Sequence, residues 1–88
     1  MNKELSIVTV HYSFDAETVA LIFNSYEDAC KFIKEDFESE KQIDIEENGY
    51  EIDEDITYCE ENMAVLATCY RTGTETTTWT VARVIDKR

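Results

Sequence analysis

Residues 63–85, MAVLATCYRTGTETTTWTVARVI, decide the fold class of this chain. Residues 63–70 are nearly all apolar at their start, which predicts a strand. Residues 76–85 alternate between two faces, which predicts a second strand with Trp79 in the core. The short connection between them contains Gly73 and is typical of a hairpin loop. The stretch therefore predicts two antiparallel strands of a sheet.

Two strands and one helix precede this hairpin. Residues 5–12 are rich in β-branched side chains and residues 18–23 are nearly all apolar, so both predict strands. Ser25 resembles the first residue of a capping box, and we place the helix end between residues 40 and 47, with Gly49 as the left-handed cap. An apolar stripe at helical spacing predicts the buried face of the helix: Tyr26, Ala29, Cys30, Ile33 and Phe37.

Between the helix and the hairpin, residues 50–58 change to a period of two. This pattern predicts a half-buried strand that a turn at residues 53–55 could interrupt. The predicted element order is β-β-α-β-β-β, and connections of hairpin length favour antiparallel pairing. We therefore expect an α+β fold over residues 1–88, a single domain with a mainly antiparallel sheet and one helix packed on one face.

The cysteines and the hydropathy pattern indicate the compartment. Cys30, Cys59 and Cys69 are odd in number and show no paired spacing, which argues against a disulfide framework. A reducing cytoplasm fits them best, and we expect each to be a small buried hydrophobic residue. No run approaches the roughly 18 apolar residues of a membrane helix, and the first residues lack the pattern of a secretory signal. We expect a cytoplasmic protein that does not bind membranes.

The charge of the chain is concentrated in one segment. The net charge is −12, and residues 35–61 hold 13 of the 20 acidic residues but a single basic one, Lys41. On a strand, Glu51, Asp53 and Asp55 would form a row of carboxylates about 6.7 Å apart. We expect an acidic patch that binds Lys and Arg of a partner, and the alternative is a solvated surface that serves only solubility. The candidate partner-binding residues are Asp44, Glu46, Glu47, Glu51, Asp53, Glu54, Asp55, Glu60 and Glu61.

Catalytic and metal-binding chemistry finds little support. Residues 44–55 loosely follow a calcium-binding loop, but Glu46, Glu51 and Asp55 each depart from the residue that the loop requires at that place. His11 is the only histidine, and no Cys-x-x-Cys pair accompanies it as a zinc site would require. We expect no enzyme and no cofactor, and a calcium-binding module is kept as the least favoured alternative.

Four stretches carry a resemblance to known proteins: residues 7–12 (IVTVHY), 25–30 (SYEDAC), 47–49 (ENG) and 78–81 (TWTV). Together they resemble short acidic proteins of Firmicutes phages and mobile elements, over most of the chain. Some small acidic proteins of such elements are anti-CRISPR inhibitors, which block the DNA-binding grooves of Cas effectors. The resemblance implies DNA mimicry or steric blocking. It assigns no functional residue, because the shared motifs are structural.

Charge and resemblance together predict a binding protein that inhibits a basic nucleic-acid-binding protein in a bacterial host, with a Cas effector as the first candidate. A net charge of −12 repels phosphates, so we expect no direct contact with nucleic acid. The alternative is a small accessory or scaffold domain of a mobile element, dimeric through an exposed sheet edge. Binding by such a domain would be insensitive to salt and carried by apolar residues such as Trp79.

Overall fold

A computed structural model describes the backbone of residues 3–86 and the surroundings of side chains from residue 4 to residue 85. In this part of the chain two strands are followed by one α-helix, α1 (Tyr26–Gln42), which a π-helical segment, Ile43–Glu47, continues before four more strands. The strands are β1 (Lys3–Tyr12), β2 (Thr18–Phe23), β3 (Glu51–Ile52), β4 (Tyr58–Cys59), β5 (Met63–Tyr70) and β6 (Gly73–Asp86). The predicted α+β class is confirmed.

The strands form one antiparallel sheet in the order β2-β1-β6-β5-β3, and β4 also pairs with β5. The predicted hairpin is β5–β6, with Tyr70 opposite Gly73 at its closed end. The central pair β1–β6 extends to Tyr12 opposite Thr77. Because neighbouring strands run in opposite directions throughout, residues paired in register point to the same face of the sheet.

The core lies between α1 and the sheet face that the helix covers. On this face Val8 pairs with Val81, and Val10 pairs with Trp79. Trp79 is fully buried, so its predicted place in the core is confirmed and it is not available as an exposed anchor for a partner. The helix buries three residues of its predicted stripe against this face: Ala29, Ile33 and Phe37.

Local signals set both ends of the helical segment. The Oγ atom of Ser25 accepts a hydrogen bond from the Asp28 N–H at 3.3 Å, which is the predicted cap. At the other end Gly49 has a φ of +69°, and the next N–H, of Tyr50, donates to the carbonyl of Asp44 at 2.8 Å. The left-handed backbone at Gly49 favours glycine, which is why the segment ends where the sequence predicted.

The segment predicted as a half-buried strand over residues 50–58 consists of two short strands, β3 and β4, with a turn between them. Oδ1 of Asp53 accepts from the Asp55 N–H at 3.1 Å, and the Asp53 carbonyl accepts from the Thr57 N–H at 3.0 Å. These local bonds compete with a continuous ladder and interrupt the strand. The regular row of carboxylates expected from Glu51 to Asp55 therefore does not form.

The expectation of three buried cysteines is wrong. Cys59 is exposed, and Cys30 and Cys69 are half-buried. Cys30 lies at the margin of the buried helix stripe, one residue after Ala29, and Cys59 lies in the short strand β4 at the edge of the sheet. In the described part of the chain, no helix combines the length and apolarity needed to cross a membrane.

Candidate protein-binding surface

One side of the helical segment brings acidic side chains next to tyrosines of the sheet. Asp36, Glu40 and Asp44 follow one another at four-residue spacing, so they lie on one side of the helix, about 6 Å apart along its axis. Tyr12 and Tyr70, both carried by strands, are near enough for these charges to add to the effect of burial and raise the pKa of their phenols, and Glu75 of β6 raises the pKa of Tyr70 in the same way. We define the acid–tyrosine surface as Tyr12, Asp36, Glu40, Asp44, Tyr70 and Glu75.

Two hydrogen bonds hold the acidic row against the sheet. Oδ2 of Asp36 accepts from the indole N–H of Trp79 at 2.8 Å. Oδ2 of Asp44 accepts from the hydroxyl of Thr68 at 2.7 Å. Trp79 is fully buried and Thr68 is 4 % exposed, so each bond satisfies a donor that water does not reach. The two carboxylates are therefore fixed in place before any partner binds.

Glu40, which lies between these two carboxylates, is held in an unfavourable setting. Desolvation raises the pKa of its carboxyl group above the ordinary value, and the charges of Asp36 and Asp44 raise it further. Charged groups repel at this i,i+4 spacing when their signs are equal. The folded state therefore holds Glu40 at an electrostatic cost, which a bound cation would relieve.

The tyrosines supply hydrogen-bond donors beside the carboxylates. Partial burial, followed by the charge of Glu40, raises the pKa of the Tyr12 phenol. Partial burial, followed by the charge of Asp44, raises the pKa of the Tyr70 phenol. Both phenols thus stay protonated at neutral pH. The Tyr70 ring also packs edge-on against Tyr50, with centroids 4.6 Å apart, at a shallow cleft that is open to solvent.

The ion pairs of the protein lie elsewhere. Among the described residues they are Lys31–Glu35 at 4.0 Å, Lys41–Glu54 at 3.2 Å and Arg83–Glu4 at 3.7 Å. Within that part of the chain, no pair includes a carboxylate of the acid–tyrosine surface. Its four carboxylates are therefore not neutralised by the protein's own described cations.

The structure brings only some of the predicted partner-binding residues together. Asp44 belongs to the acid–tyrosine surface, Glu46 and Glu47 follow it in exposed positions at the end of the helical segment, and Glu51 is exposed in β3. Oε2 of Glu46 accepts from the amide Nε2 of Gln42 at 3.0 Å, a local bond along the helix. Glu46 and Glu47 thus follow the surface along the chain, whereas Glu51 pairs with Cys69 on the sheet face that α1 does not cover.

The other predicted residues lie in two separate places. Asp53, Glu54 and Asp55 form the turn between β3 and β4, where Asp53 is half-buried and Glu54 pairs with Lys41. Glu60 and Glu61 precede β5 at the end of the sheet opposite to the acid–tyrosine surface. Thr68, whose hydroxyl donates to Asp44, lies about 17 Å along β5 from Met63, the strand's first residue. The nine residues therefore do not form one patch.

Metal binding gains no support from the geometry. Among the described residues, no three His, Cys, Asp or Glu side chains converge as metal ligands. In the segment that loosely follows a calcium loop, Asp44 accepts from Thr68 and Asp53 accepts from the backbone of its own turn. His11 is exposed, with its Nδ1 3.3 Å from the hydroxyl oxygen of Thr18.

The exposed cysteine is not an activated nucleophile. Burial raises the pKa of the Cys59 thiol, and the charge of Glu38 raises it further, while Lys34 lowers it. The thiol therefore stays protonated at neutral pH. Cys59 pairs with Ala64 of β5 at one side of the sheet, whereas His11 pairs with β2 and β6, so the two do not form a Cys–His pair.

Of the six residues of the acid–tyrosine surface, sequence reasoning singled out only Asp44 as a site residue. It missed the other five: Tyr12, Asp36, Glu40, Tyr70 and Glu75. Asp36 and Glu40 were counted within the acidic segment, and their four-residue spacing to Asp44 was a readable signal. Glu75 reaches the surface because its register partner in β5 is Thr68, which holds Asp44. That proximity depends on strand register, which the sequence pattern does not specify.

Comparison of the chain with protein-family models, with curated proteins and with solved structures finds no match.

Proposed function

We propose that this protein binds a basic protein through its acid–tyrosine surface, and that the partner is a nucleic-acid-binding protein of the host cytoplasm. The observation that carries the proposal is the row of Asp36, Glu40 and Asp44. Its first and last carboxylates are hydrogen-bonded to the sheet, and none of the three pairs with the protein's described cations. A partner's Lys and Arg side chains would form charge-assisted hydrogen bonds with these carboxylates. By occupying the groove in which the partner binds nucleic-acid phosphates, the protein would inhibit that partner.

The electrostatics of Glu40 favour binding over a role in solubility alone. A carboxylate needed only for solubility is best placed where water solvates it fully, away from like charges. Glu40 is exposed but lies between Asp36 and Asp44, where desolvation and both charges raise the pKa of its carboxyl group. A partner's Lys or Arg placed beside Glu40 would be attracted by all three carboxylates and would offset the repulsion among them.

The tyrosines bear on the class of partner. Tyr side chains are enriched in protein interfaces, where one ring provides apolar contact and a polar hydroxyl. The carboxylates are about 6 Å apart along the helix, whereas duplex DNA carries one charge per about 1.7 Å of its axis. The surface is therefore a sparse mimic of nucleic acid. Contacts of Tyr12 and Tyr70 would have to supplement its charges.

The experiment is a binding assay of the full chain against purified, guide-loaded Cas effectors, alongside capture and identification of proteins from a Firmicutes lysate. We expect a basic nucleic-acid-binding protein that binds at about 50 mM salt and is largely lost at about 300 mM, because exposed charges are screened. Duplex target DNA should compete with the protein for that partner. Capture of no such protein, or binding that is indifferent to salt and to DNA, overturns the proposal.

Three variants with the same net charge locate the interface. Glu40→Gln with Glu75→Gln removes two charges from the acid–tyrosine surface and should weaken binding about tenfold or more. Glu51→Gln with Asp55→Asn removes two charges from the segment that the sequence singled out, and it keeps Asp53, whose carboxylate holds the turn. The control, at an exposed part of the helix, is Glu27→Gln with Glu35→Gln.

The pattern of loss among these variants is decisive. A loss confined to the first variant supports the acid–tyrosine surface as the interface. A loss confined to the second places the interface at the β3–β4 turn and contradicts our assignment. Equal losses in all three, including the Glu27 and Glu35 control, indicate a response to net charge alone and also contradict it.

A further inference from the structure

Between Leu5 and Val84, the face of the sheet that α1 does not cover carries no Asp, Glu, Lys or Arg along its four long strands, and Glu51 of β3 lies at its margin, opposite Cys69. Because paired residues share a face, the registers of β1 with β2 and β6, and of β5 with β6, assign its side chains. Between Leu5 and Val84, its members on β1, β2, β5 and β6 are threonines, apolar residues, Cys69 and His11. We call this the open face. A surface of this extent without Asp, Glu, Lys or Arg is unusual in a protein of 88 residues with a net charge of −12.

One end of the open face is an exposed apolar patch. Ile7 of β1 lies between Ile22 of β2 and Ala82 of β6, and Leu5 lies opposite Val84. Ile22 is 69 % exposed and Val84 is 40 % exposed. Scattered exposed apolar residues are ordinary, but a contiguous group on a flat strand surface marks an interaction site.

The open face is large enough for a weak, reversible interface. From Thr74 to Val84, β6 rises by about 33 Å, but the other three strands are shorter, so the face covers about 450 Å². Val65 and Ala67 of β5 are buried within it. A typical specific interface buries about 800 Å² on each partner, so the open face falls in the smaller class of transient contacts. Two sheets packed in this way would lie about 10 Å apart.

We propose that the open face is the interface of a homodimer, in which a second copy of this chain packs its own open face against it. A two-fold interface brings each surface patch against its own copy, so charged patches of one sign repel. At −12 per chain, most other surfaces would set carboxylates against carboxylates. The open face avoids this repulsion, and a two-fold axis near Ile7 places apolar patch on apolar patch.

This arrangement leaves the proposed binding function intact and adds to it. The helix of each copy lies on the outside of the sandwich, because α1 packs on the opposite face of the sheet. The dimer would therefore present two acid–tyrosine surfaces that point away from each other. A partner with two basic sites, or two partners, could be engaged at once.

The test is the mass of the full chain in solution by sedimentation over a concentration series. We expect the mass to rise from 10.2 kDa for one chain toward twice that value. Dimerisation should strengthen as salt rises, because screening weakens the repulsion between two acidic chains. Binding through the acid–tyrosine surface should weaken under the same change, so the two proposals fail independently.

Two substitutions on one strand separate the open face from the rest of the sheet. Ile22→Lys places a charge in the apolar patch and should weaken dimerisation by at least tenfold. Val19→Lys is the matched control, because Val19 is also exposed, at 44 %, but pairs with Val10 on the helix-covered face. Both variants change the net charge equally, and a circular-dichroism melt shows that each is folded.

Three results overturn the proposal. The first is a mass of 10.2 kDa for the unsubstituted chain at every concentration and salt level up to about 200 μM, a concentration at which even a weak specific dimer is detected. The second is equal weakening by Ile22→Lys and Val19→Lys. The third is a dimer that neither substitution affects, which indicates pairing of the free edge of β2 instead.

Discussion

The indole N–H of Trp79 donates to Oδ2 of Asp36 at 2.8 Å, and this bond joins the centre of the core to the acid–tyrosine surface. Trp79 is fully buried. The Phe37 ring packs edge-on against it, with the ring centroids 5.8 Å apart and an interplanar angle of 82°. Asp36 is one helical turn from Glu40. A residue that completes the core thus also sets the position of the charges that we assign to partner binding.

The first prediction concerns this bond. Asp36→Ala leaves the buried indole N–H without an acceptor and should lower the free energy of unfolding by about 1–3 kcal/mol. Asp36→Asn keeps an oxygen acceptor and removes the charge that repels Glu40, so its stability should be close to that of the original protein. Denaturant unfolding measures both. Equal stability of the Ala and Asn variants would show that the bond contributes nothing.

The second prediction concerns the charge of Glu40 and its dependence on pH. The pKa of Glu40 is raised in the folded protein, so its ionised form costs folding free energy at neutral pH. That cost disappears as the pH falls through the raised pKa and below the ordinary value, because the carboxyl group is then neutral in both states. Glu40→Gln should therefore raise the melting temperature at pH 7 and lose this advantage near pH 4.

The two like-charge i,i+4 pairs contribute about 0.2–0.5 kcal/mol each, and relief of the desolvation of the Glu40 carboxylate adds to them. For a domain of this size, the two pairs alone correspond to a rise of about 2–8 °C in the melting temperature. Glu35→Gln is the control, since it makes the same change of charge but removes a pairing with Lys31. A gain for the Glu35 variant as large as that for Glu40→Gln would attribute the effect to net charge.

The third prediction concerns the contact between the helix and the sheet. Ile33 is fully buried in the middle of the α1 stripe. Ile33→Val should cost about 0.5–1.5 kcal/mol and Ile33→Ala about 2–5 kcal/mol, because a small core has little capacity to collapse around a cavity. Ile45→Ala, at a residue that is 45 % exposed, should cost much less. Chemical denaturation of the three variants checks the order, and a cost for Ile45→Ala as large as that for Ile33→Ala would contradict it.

The elements could be predicted from the sequence because each has one dominant period. The stripe through Ala29, Ile33 and Phe37 fixes the helix, and the alternation around Trp79 fixes β6. The 50–58 segment has the same alternation, but its Asp53 carboxylate satisfies a backbone N–H locally and breaks the ladder. Glu54 interrupts the alternation and so allows a turn at residues 53–55, but a period in side-chain polarity does not show that the turn forms.

The candidate surface was less accessible to sequence reasoning, because nearness along the chain differs from nearness in space. Glu60 and Glu61 belong to the acidic segment but lie at the far end of β5 from Asp44. Glu75 lies outside that segment, yet the β5–β6 register places it opposite Thr68, the residue that holds Asp44. Only the fold decides which carboxylates share a surface.

The last prediction concerns the residue that ends the helical segment. Gly49 has a φ of +69°, and a Cβ atom added there would meet nothing within 4 Å. The cost of Gly49→Ala should therefore come from the backbone alone, about 1–2 kcal/mol, since a left-handed conformation is disfavoured for residues with a Cβ atom. Gly49→Asn should cost less, because Asn tolerates this conformation better than Ala. Thermal unfolding of the two variants measures the difference. An Ala variant as stable as the Gly parent would mean that the chain ends its helix without depending on the left-handed backbone at Gly49.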